Sequence, residues 1–424
     1  MQTQPPGLLI IGAGHAGSEL AIAARQAGWP DAITLLGEEP FVPYHRPPLS
    51  KAWLAGEADE ASLQLRPASA YELARVDLRL GTRAVAIDRA AHTVTLADGT
   101  QLPYAKLALC TGGRPRPFVC EGIDPAQPPA NLHLLRTRAD ADALRAGLRV
   151  SGHLVVIGGG YVGLEVAASA IKLGLRVTLL EAQPRVLARV AGPEVSRFYE
   201  DVHRAAGVDV RTDVSVARVD VTGGRIVAVH TTAGERIEVD AVVAGLGMLV
   251  DVGLAAAVGL AQEAGIPIDE HSCTADPDIL AAGDCTLQVS ALYGGAPRRI
   301  ESVPNALEQA RAAAGWLAGK PRPNRAVPWF WSDQYDLKLQ MAGLSQGWDR
   351  CVLRGDPAAR SFAAFYLAGR RLLAVDAVNR PAEFMLVRRL LAQPVDVDAD
   401  LTDESRPLKD LLPALTPAGI TGKP

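Results

Sequence analysis

The chain carries the same local pattern twice, and that duplication restricts its fold more than any other feature. Leu8-Leu9-Ile10-Ile11 is a short apolar run ending in glycine, as expected of a strand buried on both faces. A helical pattern over residues 15–27 and a second strand over 33–36 follow. The order returns with Leu154-Val155-Val156-Ile157, a glycine cluster, a helical pattern over 162–173 and a strand over 177–180. Each copy reads as a βαβ unit, whose strands must run parallel and whose crossover is right-handed. Two such units a domain's length apart predict an α/β protein with two Rossmann-like domains.

The turns inside the units indicate what they bind. The first reads Gly12-Ala13-Gly14-His15-Ala16-Gly17, the second Gly158-Gly159-Gly160-Tyr161-Val162-Gly163. In this pattern the first glycine permits a tight turn, the second lets a diphosphate approach the backbone, and the third lets helix pack on strand. The helix that starts there offers free N–H groups and a positive dipole end to the phosphates. Glu38 and Glu181 end the second strand of each unit, where a carboxylate can accept hydrogen bonds from ribose hydroxyls. A lone glycine motif is a weak signal; the strand before it, the helix after it and the acid beyond make it specific. Both copies keep all three glycines and the acid, which argues against a decayed duplicate. Two cradles imply two dinucleotides. The economical pair is FAD with a nicotinamide, because a flavin takes a hydride as a pair and releases electrons singly. Glu181 would repel the 2′-phosphate of NADP, so NADH is expected, although Arg185 follows closely and could hold a phosphate.

At 424 residues the chain exceeds what one core serves. Gly112-Gly113-Arg114-Pro115-Arg116-Pro117 and Gly319-Lys320-Pro321-Arg322-Pro323-Asn324 carry boundary-type turn chemistry. These place an FAD-binding domain in residues 1–113 and 248–323, an NADH-binding domain in 114–247, and a C-terminal α+β domain in 324–424. Alternating segments at 337–342, 350–353 and 362–367 predict an antiparallel sheet, followed by helix over 382–391; residues 416–424 should fray. The net charge of -4 argues against a nucleic-acid binder. The longest apolar stretch, 241–261, is broken by Asp251 and glycines and reads as strand, turn and helix rather than a membrane span. Cys110, Cys120, Cys273, Cys285 and Cys351 are scattered and never form a Cys-x-x-Cys pair. That excludes a disulfide framework or a zinc site and suits a reducing compartment. Residues 1–7 lack the charged and apolar regions of a signal peptide, so a cytoplasmic protein is expected.

Gly283-Asp284-Cys285 follows the apolar Ile279-Leu280-Ala281-Ala282, and this late motif resembles the second FAD fingerprint of the glutathione-reductase-like two-dinucleotide flavoproteins. Cys110-Thr111-Gly112-Gly113 resembles their middle motif. Four further segments narrow the likeness: Arg46-Pro47-Pro48-Leu49-Ser50-Lys51, Gly163-Leu164-Glu165, Glu301-Ser302-Val303-Pro304-Asn305-Ala306 and Pro328-Trp329-Phe330-Trp331-Ser332-Asp333. Together they resemble the ferredoxin reductases of bacterial oxygenase systems, nearly from end to end.

The resemblance implies a site. Lys51 would lie beside the reactive edge of the flavin and pair with Glu165, since a buried lysine needs a carboxylate partner and its charge can stabilise reduced flavin. Trp331 would be an aromatic wall, and Asp284 would hold the ribityl chain. Val303 and Asn305 would precede a helix over 307–316 whose N-terminus points at the pyrimidine edge. Arg46, Thr111 and Gly112, with His15 and Ala16 of the first turn, complete the expected FAD contacts. Tyr161, Val162, Glu165, Arg185 and Gly247 join Glu181 as expected contacts of the nicotinamide dinucleotide.

Disulfide reductases of this fold need a cysteine pair after the first acid, and residues 38–65 contain no cysteine. The resemblance therefore implies a protein acceptor, an acidic [2Fe-2S] ferredoxin that feeds a cytochrome P450 or, second, a Rieske-type aromatic-ring dioxygenase. Arg311 and Lys409 are the expected basic contacts to it. Apoptosis-inducing-factor-like NADH-sensing flavoproteins share the architecture, but they carry targeting segments and basic surfaces that this sequence lacks. Relatives carry Pro-Asn where Val250-Asp251 stands here, which singles out the turn after Gly245-Leu246-Gly247 as a point of departure.

Overall fold

A computed structural model describes residues 6–289 and 294–412; the expected frayed tail at 416–424 lies outside them. The first glycine unit forms the middle of a parallel sheet ordered Val76–Arg79, Ile33–Leu36, Gly7–Ile11, Gln101–Leu109. Its last parallel partner comes from far along the chain: Ile279–Ala281 pairs with Gln101–Leu109, in register at Leu109 and Ala281. The second unit repeats the arrangement in the order Val208–Arg211, Arg176–Leu180, His153–Ile157, Ala241–Ala244, Leu132–His133. In both sheets the glycine-bearing strand lies centrally, between strands reached by opposite crossovers. Such a switch point opens a crevice at the carboxyl ends of the strands.

A two-stranded ribbon links the two sheets. Met248–Val250 pairs antiparallel with Gly113–Pro115, so the outgoing and returning chain segments run side by side. The turn at Val250-Asp251 is closed by Thr111 Oγ1 donating to the Asp251 carbonyl at 2.5 Å and by Asp251 N–H donating to the Gly112 carbonyl at 3.0 Å. The helix Val303–Leu317 packs along His15–Ala27, with Ala306, Ala310, Ala313 and Ala314 meeting Leu20, Ala21 and Ala24. Small residues at helical spacing let the two axes approach closely and hold both helix starts against the same crevice.

After the linker the chain forms an antiparallel sheet ordered Trp329–Gln334, Leu337–Gly343, Arg371–Val378, Ser361–Ala368, Arg350–Asp356, backed by the helix Pro381–Leu390. The stretch 241–261 resolves into the strands Ala241–Ala244 and Met248–Val250 and the helix Gly253–Ala257. Among the described residues no helix is long and apolar enough to cross a membrane.

The C-terminal sheet docks on the second unit through a buried polar contact. Tyr366 Oη accepts from Gly192 N–H at 2.8 Å and donates to Asp376 Oδ2 at 2.6 Å. Burial pushes the Asp376 carboxyl up to about 7, against the lowering effect of the Tyr366 hydrogen bond. The folded state therefore keeps a proton that the unfolded chain releases near its ordinary value of 3.8. Stability from this group should fall as pH rises from about 4 to about 7, by roughly 3–4 kcal/mol in total. Asp376→Asn should flatten that part of the profile, as read by urea midpoints on either side of the window. An unchanged slope would place the titration elsewhere.

Candidate active site

The two glycine turns open into one continuous cavity of about 2120 Å³, walled by residues of both glycine-bearing units and of the C-terminal sheet. In each turn the three glycines have distinct surroundings. Gly12 and Gly158 hold left-handed backbone, φ 107° and 102°, which a side chain would strain. A Cβ on Gly17 would lie 1.9 Å from the Gly12 carbonyl oxygen, and one on Gly163 would lie 2.0 Å from that of Gly158. These third glycines lie under the turns, where helix presses on strand. At Gly14 and Gly160, by contrast, a Cβ would meet no protein atom within 4 Å, because both line the cavity. The cradle is shaped for a ligand to come up against its backbone.

The wall around the first turn is electropositive. Burial, followed by the nearby His45, Arg46 and Arg136, holds the His15 imidazole down at about 3. It is therefore neutral, and its Nε2 is a buried polar atom without a protein partner. That orphaned atom, the open cradle and the surrounding cations fit a diphosphate-bearing group. Arg46 is fixed by Glu39 at 2.8 Å and by the Arg136 carbonyl at 2.7 Å. Arg136 in turn reaches Asp284 at 3.1 Å. Glu38, Thr111, Gly112, Asp284, Val303 and Trp331 all line the cavity, as do Tyr161, Val162 and Gly247. Glu38 is exposed, 3.6 Å from Arg83. Glu181 accepts from Gly159 N–H at 2.6 Å and Gln183 N–H at 2.7 Å, so its carboxylate is held at the second cradle by backbone.

Between the cradles stands an ion pair. Lys51 Nζ lies 2.9 Å from Glu165 Oε2, with Glu165 5% exposed. The same carboxylate accepts from Ser50 Oγ at 2.5 Å and from Ser332 Oγ at 2.7 Å. Three elements meet there: the 3₁₀ turn Pro47–Ser50, the helix Tyr161–Lys172 and the strand Trp329–Gln334. Tyr161 and Glu165 share a face of the helix, while Phe330 and Ser332, two residues apart on one face of the strand, meet them, with the Phe330 ring packed tilted on Tyr161 at 4.9 Å. Trp331 points the other way and packs on Trp329 at 5.6 Å.

Two expected site residues are placed differently. Arg185 does not line the cavity: its guanidinium is spent on Ala191 and Ala188 carbonyls and Ser196 Oγ, at 2.7, 3.0 and 2.6 Å, bracing its own loop. Arg189 of that loop lines the cavity instead, and no spacing rule distinguishes the two arginines beforehand. Asn305 is likewise withdrawn. The helix begins at Val303 rather than at 307, capped by Ser302, and the Asn305 amide donates to the Ile300 carbonyl at 3.0 Å. Ser302 and Val303 are the helix-start residues on the cavity wall. Arg136 and Arg189 were not singled out from sequence, because both sit on irregular loops without a motif. Of the two expected partner contacts, Arg311 is already committed to Glu19 at 2.8 Å and Glu308 at 2.9 Å. Lys409 is exposed on the short helix Leu408–Leu411.

Cys110 lines the cavity, but burial drives its thiol well above the ordinary range, so it is no thiolate nucleophile. Among the described residues no group of His, Cys, Asp or Glu has metal-site geometry.

Comparison with known proteins agrees with this architecture. The family model described as pyridine nucleotide-disulphide oxidoreductase matches residues 6–310, and that described as reductase C-terminal matches 329–412. Putidaredoxin reductase CamA of Pseudomonas putida is 48% identical over 412 residues, 96% of this chain and 97% of that protein. A chain of the covalent putidaredoxin reductase–putidaredoxin complex superposes with a TM-score of 0.92 at 47% identity, covering 96% of this chain and 98% of its own. The ferredoxin reductase for the CYP199A2 system of Rhodopseudomonas palustris gives 0.90 at 40% identity, covering 95% and 99%.

Proposed function

The chain belongs to the pyridine nucleotide-disulphide oxidoreductase family, and from that membership we propose that it is an NADH-dependent ferredoxin reductase with FAD as its bound cofactor. The carrying observation is two open glycine cradles facing one cavity with a lysine–carboxylate pair, and no reactive cysteine, between them. The flavin supplies the conversion of a hydride's electron pair into single electrons. The FAD domain is assigned to residues 1–113 and 248–323, the NADH domain to 114–247, and the C-terminal α+β domain to 324–424.

The protein's own part is holding and electrostatics. Gly12, Gly14, Gly17 and the helix start at His15 would receive the FAD diphosphate; Glu38 would take the ribose hydroxyls; Asp284, held by Arg136, would hold the ribityl chain. Gly158, Gly160, Gly163 and Glu181 would do the same for NADH. Lys51 offers positive charge where reduced flavin gathers negative charge, and the N–H groups at Ser302 and Val303 add the dipole of the helix Val303–Leu317. Tyr161 and Trp331 wall the cavity against water. The single electrons pass to an acidic [2Fe-2S] ferredoxin, for which Arg311, half-exposed though paired with Glu19 and Glu308, and the exposed Lys409 are the basic contacts. A cytochrome P450 is the terminal acceptor system, on the likeness to the CYP199A2-system reductase. The compartment is the cytoplasm, in keeping with five free cysteines.

Cytochrome c reduction by the flavin-loaded protein, with and without a [2Fe-2S] ferredoxin and with NADH or NADPH, tests this. Strong stimulation by the ferredoxin with NADH favoured is expected. Flavin bleaching by NADH with no stimulation by any cognate ferredoxin would favour an NADH-sensing interaction protein, and turnover only with a Rieske oxygenase would reassign the acceptor. Removing the carboxylate at the second cradle should relax cofactor choice. Glu181→Ala is expected to raise the NADPH-to-NADH ratio of kcat/KM tenfold or more, about 1.4 kcal/mol. An unchanged ratio would mean that Glu181 serves only its own loop.

A further inference from the structure

Behind Glu165 runs a chain of buried polar side chains that the proposed reaction does not use. Ser332 Oγ lies 2.7 Å from Glu165 Oε1, Gln334 Nε2 lies 3.1 Å from Ser332 Oγ, and His203 Nε2 lies 2.9 Å from Gln334 Oε1. Tyr335 Oη lies 3.0 Å from His203 Nδ1. Ser332, Gln334 and His203 are buried, whereas Tyr335 is 38% exposed, so the chain runs from solvent to the ion pair. Period-two alternation places Ser332 and Gln334 on the face of the strand Trp329–Gln334 that meets the helices Tyr161–Lys172 and Pro193–Ala205.

The direction of every bond follows from one end. A carboxylate only accepts, so Ser332 must donate to Glu165. Its oxygen is then left to accept, and among the described residues the donor that reaches it is the Gln334 amide NH₂, which turns the amide oxygen toward His203. That oxygen also only accepts, so His203 carries its proton on Nε2. Burial holds the His203 imidazole down at about 4, against the raising effect of Gln334, so at neutral pH it has a single N–H. Its Nδ1 must accept from Tyr335, whose phenol is held protonated by burial. Four donors in series thus point their positive ends at Glu165, and such bonds polarise one another. The other groups facing the pair are Lys51 and Ser50 from the 3₁₀ turn, Tyr161 from Glu165's own helix and Tyr199 from the neighbouring one, both phenols kept neutral by burial.

We propose that Gln334, His203 and Tyr335 are positioning residues, forming a one-way hydrogen-bond chain that draws negative charge on Glu165 away from Lys51 and so strengthens the positive field Lys51 presents to the flavin. The inference rests on the reading that Lys51 stands beside the flavin. It is not a proton path, because an amide at Gln334 would have to pass through its imidic acid form to relay a proton.

The test combines imidazole nitrogen NMR with redox titration of the flavin-loaded protein. Wild type should show His203 neutral and only as the Nε2–H tautomer. Glu165→Gln, whose amide can donate to Ser332, should lose that exclusivity. Gln334→Leu should shift the reduction equilibrium of the flavin about tenfold toward the oxidised form, about 30 mV for a two-electron couple. His203→Phe should shift it in the same direction, covering the case that the first variant folds poorly. An Nδ1–H tautomer or a charged imidazole in wild type would overturn the chain. A potential that moves in Lys51→Met but not in Gln334→Leu or His203→Phe would overturn its effect on the flavin. A potential unmoved even in Lys51→Met would bring down the placement of Lys51 and the inference with it.

Discussion

Alanine in place of Gly14 should yield a folded protein that does not retain its flavin, while alanine in place of Gly160 should yield a yellow protein that NADH reduces poorly. Both positions have ordinary backbone, with φ of -81° and -79° at the first residue before the helix, so alanine adds no strain there. Neither methyl would touch a protein atom within 4 Å. Each would instead stand in the cavity, on the surface that a diphosphate must approach to reach the helix N–H groups. The fold should therefore tolerate both changes, and only the ligand should be excluded. A loss of about 100-fold in FAD affinity is expected for Gly14→Ala, some 2.8 kcal/mol, with the apoprotein melting as wild type does. For Gly160→Ala the flavin-to-protein ratio should stay intact, and the NADH concentration needed for half-maximal flavin reduction should rise by a similar factor. Gly17→Ala and Gly163→Ala are the contrasting pair, because their methyls would collide with backbone oxygens, and they should destabilise the fold itself. Retention of full flavin in Gly14→Ala, or flavin loss in Gly160→Ala, would reverse or dissolve the assignment of the two cradles.

The parts of the site that were legible in the sequence are those with a local rule behind them. A glycine between strand and helix has few reasons to be there, and the two cradles could be written down with their acids. The meeting of Lys51 with Glu165, far apart in the chain, was reachable only through the likeness of whole motifs to a family. What escaped were side-chain directions on irregular segments. Arg185 and Arg189 lie in one loop, and only its folded path decides which guanidinium braces the loop and which faces the cavity. The helix expected from 307 begins at Val303, because Ser302 caps it and Pro304 is tolerated in its first turn. Arg136 reaches Asp284 across a separation of 148 positions, a contact that no window along the chain contains. His203 and Gln334 carry no motif at all, and their pairing needs the C-terminal sheet to be docked on the second unit.

Leucine in place of Glu165 should destabilise the fold by about 3 kcal/mol. The carboxylate holds one cation and two hydroxyls, from Lys51, Ser50 and Ser332, and all of these lose their acceptor together. An ammonium left unpaired in a largely buried position costs more than the pair itself contributed, because its desolvation is no longer offset. Lys51 keeps 19% of its side chain exposed, which places the loss at the low end of the range for broken buried pairs. Lys51→Met in the Glu165→Leu background removes the stranded charge and should recover a large part of the loss, leaving the two serines as the residual. The double-mutant cycle separates these contributions, since the two residues touch and their effects cannot add. It also separates stability from function: the double variant should fold nearly as well as wild type, yet its flavin should be harder to reduce because the cation is gone. Denaturant midpoints of the four proteins and the flavin potential of those that bind it decide the matter. If Glu165→Leu is as stable as wild type, the pair is a solvated surface contact and the field assigned to Lys51 has no basis. If the double variant stays as unstable as the single one, the penalty lies in packing around Glu165 rather than in its charge.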